Sequence, residues 1–369
     1  MRNLSFGSRG LSISAAAVLA ACGGSQQPIG APGAMPLSQT SAIARHAKRG
    51  ESMRGAESAK TSFLYVASLF FELSKFRLDG SMPLRTVRLR NSNGFQGLAV
   101  NPQGYLFVES GNVSDGTISV YDARTLRAVR ELRGPYVSWL VSGPRGYIYA
   151  ANCGDAIYVI APDGTGVVGF VTDHVVGACK LAFGPSGDLF VENQNSVAIY
   201  TPVSGSEQWQ FTRELKKGIR HPNALAFDRL GNLYVGDAPS YKSGSVVVFS
   251  SGNSSPYRVI TSGIAAPAAL ATDSMRRLFV ANDPFSVRHG FLHGWVSVYV
   301  PTSNEPVRRL KERIDEPTAL AVSSANELYI ANYRGGGVAV YGPAGKQLLR
   351  VLIDGVHDPD ALAIARPRP

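Results

Sequence analysis

This chain of 369 residues is 44% hydrophobic and 17% charged, a globular composition, and its 39 Gly and 22 Pro suit many tight turns without reaching the level of a disordered chain. Its 37 Lys and Arg against 27 Asp and Glu give a formal charge of +10, but the basic residues form no strong stripe, which argues against nucleic acid as a partner.

At the N-terminus, Arg2 and Arg9 precede an apolar run from Leu11 to Ala21 interrupted only by Ser12 and Ser14. A run of about 11 residues is too short to span a bilayer and suits the core of a signal peptide. It ends in Leu19-Ala20-Ala21-Cys22-Gly23, which resembles the lipobox of bacterial lipoproteins. The resemblance implies that residues 1–21 are removed, that the Cys22 thiol is joined to diacylglycerol and that the new amino terminus is acylated, so that several chains anchor the protein in the bilayer. Gly23, rather than Asp, favours the outer membrane of a cell that has two. An ordinary signal peptide cut at an A-x-A-like site, with Cys22 incidental, is the alternative. Loss of Arg2 and Arg9 lowers the charge from +10 to +8. Residues 22–59, rich in Ser, Gln, Pro, Gly and Ala, read as a flexible tether, and its group Arg45, Lys48, Arg49 and Arg54 suits anionic lipid or a surface polymer.

From residue 60 onward a short phrase returns seven times: FLYVAS (63–68), YLFVES (105–110), YIYAAN (147–152), DLFVEN (188–193), NLYVGD (232–237), RLFVAN (277–282) and ELYIAN (327–332). Its central aromatics Tyr65, Phe107, Tyr149, Phe190, Tyr234, Phe279 and Tyr329 are spaced by 42, 42, 41, 44, 45 and 50 residues. Such a period marks an array of small sheets that bury their faces only against neighbours. Turn chemistry divides each repeat into four strands, in the second repeat Gly97–Val100, Tyr105–Ser110, Thr117–Tyr121 and Leu126–Leu132. Asn101-Pro102-Gln103-Gly104 joins the first pair, with Pro presetting one dihedral and Gly accepting a positive one. The second strands are apolar at consecutive positions, so both faces must be dry, and with no helical period between repeats the cover must be sheet on sheet in a ring. The fourth strands, such as 306–310, are polar and Arg-bearing, as an outer edge strand should be.

Innermost strands begin near Gly97, Trp139, Lys180, Ala224, Ala269 and Ala319, and a last one, 361–364, follows the final full repeat. The first repeat has none before it. The C-terminal strand should therefore complete the N-terminal blade, giving an all-β, seven-bladed β-propeller over residues 60–369. HPNALAFDRLGNLYVGD (221–237) and EPTALAVSSANELYIAN (316–332) resemble NHL-type and related seven-bladed propellers of exported bacterial proteins. That architecture hosts binding modules, lactonases, lyases and scaffolds alike.

Candidate site residues fall on the face that carries the loops leading into innermost strands and those joining second to third strands. Gln96, Ser138, Cys179, Asn223, Ala268, Thr318 and Asp360 should ring the channel mouth. Glu109 and Glu192 stand where the other repeats have Ala or Gly, and buried carboxylates there need a cation, an Arg or a watery channel. With Asn223, Asp237 and Asp360 they form an oxygen-rich set with the capacity to hold Ca²⁺, somewhat like gluconolactonase-type propellers; the alternative is satisfied polar groups closing strand ends. His174, His221, His289, His293 and His357 lie in loops of the same face. Cys153 and Cys179 lie in loops of adjacent blades and suit a disulfide after export. Asn152, Asn193, Asn282 and Asn332 stand where streptogramin-lyase-type propellers carry an acid, and are expected to bond backbone at the strand exit. Serine elbow, zinc-helix and phosphate-loop motifs are absent.

These features lead to an expectation of a monomeric, exported, lipid-anchored binding or scaffolding module, with no assigned catalytic residue or cofactor and a protein or envelope ligand. The alternative is a metal-dependent hydrolase or lyase, lactonase-like or streptogramin-lyase-like, working at the channel mouth.

Overall fold

The recurring phrase forms the second strand of every blade, and in this computed structural model those strands are buried along nearly their whole length, as in Leu189–Asn193 and Leu328–Asn332. The structure describes residues 62–365 apart from 70–71, 90–96, 110–115, 135–136, 205, 207, 287–289, 292 and 335. The signal segment, Cys22, the tether, Gln96 and His289 lie outside the described residues.

Seven four-stranded antiparallel sheets follow one another around a ring. Blade I pairs Phe63–Ser68, Glu72–Arg77 and Pro83–Arg88 with the C-terminal strand Pro359–Ala365. Blades II to VII occupy residues 98–133, 139–171, 180–215, 222–260, 267–310 and 317–352. The seam runs antiparallel, with Tyr65 opposite Ala363 and Ala67 opposite Ala361, so the strand expected at 361–364 closes the ring and extends slightly at both ends. The molecule is a seven-bladed β-propeller. Gly104, which ends the first turn of blade II, has the positive φ of 89° that the turn requires. The loop that contains His289 and His293 carries a small hairpin, Phe285–Ser286 with Gly290–Phe291.

Packing follows the ring, because each of seven hydrophobic clusters lies between two adjacent blades. The one at the seam joins Leu64, Val66 and Leu362 of blade I to Tyr329 and Val340 of blade VII. Opening the ring anywhere would expose one complete cluster to water.

The outer-strand arginines do not simply wet an edge. Arg85, Arg130, Arg213, Arg258, Arg308 and Arg350 occupy the same register in six blades, opposite the third strand, with Gly169 in blade III. Arg350 of blade VII donates to the carbonyls of Leu78 and Gly80 in blade I. Arg258 of blade V donates to Pro301 of blade VI. In blade I the cross-strand partner Lys75 does this work, donating to Ala123 and Arg124 of blade II at 3.1 and 2.6 Å. Burial lowers the Lys75 pKa to about 8. Arg350, Arg258 and Lys75 thus sew their blades to the outer turn of the next.

Candidate functional site at the channel mouth

Near the start of its innermost strand, each blade sets one residue against one on the second strand. Four blades use small residues on both sides: Ala361 with Ala67, Ala224 with Gly236, Ala269 with Ala281, and Ala319 with Ala331. The three consecutive blades II, III and IV depart from this, with Gly97 beside Glu109, Trp139 opposite Ala151, and Lys180 opposite Glu192. Gly97 is small by necessity, since a Cβ there would come within 2.9 Å of the Leu140 backbone nitrogen.

Lys180 is the centre of this group and was missed as a site residue. Its signal was a charged side chain where the other innermost strands have Gly, Trp or Ala. The buried Nζ donates to the carbonyls of Asn223 at 2.5 Å and Ala268 at 3.1 Å, so it engages the innermost strands of blades V and VI. It also lies 5.3 Å from the centre of the Trp139 ring, within cation–π reach, while Trp139 Nε1 donates to Leu181 at 3.0 Å. Glu192 is buried and its Oε2 lacks a hydrogen-bond partner. Burial pushes its pKa from 4.5 up to about 8, with the Lys180 charge opposing the rise. A carboxyl poised near neutrality beside an ammonium has the capacity to hold or hand over a proton.

Three of the remaining ring residues are tied to backbone. Ser138 donates to Cys179 at 3.3 Å, Asn223 to Pro267 at 3.1 Å and Thr318 to Pro359 at 3.2 Å, each reaching the next blade. Asp237 accepts the Arg220 and His221 backbone N–H groups, both at 2.7 Å. Asn193, Asn282 and Asn332 bind the crossover before their own blade in the same way, and Asn152 accepts from Gly154. Glu109 and Asp360 are buried. Asn223 and Asp237 therefore spend their side chains on backbone, and the cation beside Glu192 is the protein's own Lys180. Among the described residues, no three His, Cys, Asp or Glu side chains are placed to hold a metal ion.

Cys153 and Cys179 are joined as a disulfide, flanked by reciprocal backbone bonds from Cys153 to Ala178 and from Ala178 to Gly154, each 2.8 Å. The bridge locks a blade III loop to the crossover that enters blade IV, beside Lys180. The described histidines have separate surroundings. His174 stacks on Phe211 at 3.8 Å, exposed His293 lies 3.2 Å from Asp315, and His357 lies 2.7 Å from Glu72, which raises its pKa.

A second group on this face was invisible in the sequence because its members come from four loops without a shared motif. Asp283, Asp315, Glu316 and Asp358 lie around Arg334, whose Nε is 3.2 Å from Glu316 Oε1. Burial, reinforced by Glu316 and Asp315, pushes Asp283 up to about 7, and burial also raises Glu316 and Asp358.

The class defined by this fold and mouth is a seven-bladed propeller whose regularity is broken in three consecutive blades. The chain matches no family model and no curated protein. Solved structures similar to it include a candidate 6-phosphogluconolactonase from Bacteroides uniformis, with TM-score 0.65, 15% identity, and coverage of 83% of this chain and 99% of that one. A second candidate 6-phosphogluconolactonase, from Bacteroides fragilis, has TM-score 0.61 and 13% identity over 83% of this chain and 98% of that one. Hydrazine synthase of Kuenenia stuttgartiensis has TM-score 0.56 and 14% identity over 71% of this chain and 87% of that one. Identities this low carry the fold alone.

Proposed function

We propose that the chain is a rigid, non-catalytic binding disc that presents the channel-mouth face to a protein or cell-envelope ligand. The observation behind this reading is the use of the mouth's polar side chains for closure: Ser138, Lys180, Asn223 and Thr318 all donate to backbone of a following blade. Donors so committed hold a surface in one shape, which lowers the cost of binding without making a reaction chamber. In this reading Cys22 is acylated, residues 22–59 give the disc reach from the membrane, and Gly23 directs it to an outer membrane where the cell has one. Metabolic labelling with an alkyne fatty acid tests the anchor: the label should enter the wild type and be lost in Cys22→Ala.

A second reading, a lactonase-like hydrolase, is favoured by Glu192, whose pKa of about 8 and Lys180 neighbour suit acid–base work, and by the names carried by two structural neighbours. One assay separates the two. Purified protein is tested against sugar lactones and phosphosugar lactones, with and without Ca²⁺, Mg²⁺ and Zn²⁺. Turnover abolished by Glu192→Gln would replace the first reading with the second, and rates at background for every substrate would leave the binding disc in place.

A further inference from the structure

The outer strands of blades I and II, Pro83–Arg88 and Ala128–Arg133, border a cleft of about 660 Å³ on the rim of the ring, away from the mouth. This volume lies within the range of ligand sites. Its lining includes Arg85, Arg88, Arg127 and Arg130, against a single carboxylate, Glu131. Arg85 and Arg130 belong to the outer-strand register, and Arg88 and Arg127 add to them. At the next blade that register holds Gly169, so the basic run stops there. Among the described residues, no ion pair engages Arg85 or Arg127. Half-buried Asp163 of blade III lies within electrostatic reach of Arg130.

We propose that this cleft binds an acidic oligosaccharide. Guanidinium groups match carboxylate and phosphate oxygens in paired hydrogen bonds, and Arg85 and Arg88 of blade I with Arg127 and Arg130 of blade II, lining one cleft, suit a chain whose anionic groups recur along its length. Exposed Val129 supplies an apolar wall for the C–H face of a sugar ring. The one aromatic among the lining residues, Tyr121, is buried, which leaves no platform for stacking bases and disfavours single-stranded nucleic acid.

Polygalacturonate oligomers are the probe, titrated into the purified wild-type chain by calorimetry at low ionic strength. Neutral dextran and a single-stranded oligonucleotide serve as comparisons. The wild type should bind polygalacturonate, ignore dextran, and lose affinity as salt screens the contacts. Arg85→Ala/Arg127→Ala should weaken binding about tenfold or more, while Arg308→Ala/Arg309→Ala on blade VI should change it less than about twofold. Arg85→Gln/Arg127→Gln provides a second test should the alanine pair melt early. Binding that is equal for dextran, equally weakened by both Ala pairs, or tighter for the oligonucleotide overturns the proposal, as does no binding to the wild type.

Discussion

Glu192 should make the stability of the propeller fall as pH rises through the neutral range. Below about pH 4.5 the carboxyl is protonated in both the folded and unfolded chain and adds no pH dependence. Between 4.5 and about 8 only the folded chain keeps the proton, so each unit of pH lowers stability. Above about 8 the group is ionised in both states and the loss is complete. At about 1.36 kcal/mol per unit, the interval corresponds to about 3–5 kcal/mol. Glu192→Gln replaces the protonated carboxyl with a neutral amide of the same shape. The variant should match the wild type near pH 5 and exceed it by about 3–5 kcal/mol above pH 8, or roughly 6–10 °C in melting temperature. Urea unfolding followed by the fluorescence of Trp139, Trp209 and Trp295 gives both curves. Asp283, Glu316, Asp358 and His357, all raised, make stability fall with pH as well. They are common to both proteins, so the difference curve isolates Glu192. A difference that stays flat from pH 5 to 8.5 would refute the assignment of that carboxyl as buried and protonated.

Lys180→Met leaves the carbonyls of Asn223 and Ala268 without their donor and removes the charge that restrains Glu192, so it should cost about 3–5 kcal/mol and move the pH-dependent fall upward. Replacing Cys153 and Cys179 together by Ser should cost about 3 kcal/mol in thermal unfolding, the amount expected for a crosslink across 26 residues, and a reductant should destabilise the wild type alone. Arg350→Met breaks the bonds to Leu78 and Gly80 that tie blade VII to blade I, for an expected cost of about 2–4 kcal/mol by urea unfolding. Deleting 359–369 removes the innermost strand of blade I and uncovers the seam cluster, so circular dichroism should show no cooperative melt; a melt at the wild-type temperature would contradict closure by that strand.

The ring was legible because every level of its pattern agrees. Tyr65 to Tyr329 give the period, consecutive apolar positions give strands dry on both faces, and the missing strand before Phe63 identifies 361–364 as its replacement. Glu109 and Glu192 were visible as interruptions of that pattern. Lys180 was equally an interruption, but its carbonyl acceptors lie 43 and 88 residues away and only the closed ring brings them near. The outer arginines show the same limit. Their period is written in the chain, yet an edge strand studded with Arg satisfies the sequence pattern equally well whether its guanidiniums point to water or to the next blade. The cluster around Arg334 was not legible at all, because it exists only where loops of blades VI and VII meet the crossover to blade I.

Four blades show that Ala or Gly on both sides of the inner position is enough to build this mouth. Blade IV instead places a buried ammonium against a buried carboxyl, an exchange that seldom gains stability over well-packed apolar residues because both groups must leave water. The pair also depends on Trp139 from blade III and on carbonyls from blades V and VI, so its polarity is shared by neighbours that the regular pattern would have left inert. The fold does not require this feature and desolvation penalises it, yet its ammonium is committed to the Asn223 and Ala268 carbonyls, so what it supplies is a fixed shape at the mouth rather than an exposed contact. On the mouth face, this sets blades II to IV apart from the other four, with Glu109, Trp139, Lys180 and Glu192 all buried. The acidic group around Arg334 lies on the same face in blades VI and VII, so a ligand covering the whole mouth would meet two polar regions of different character.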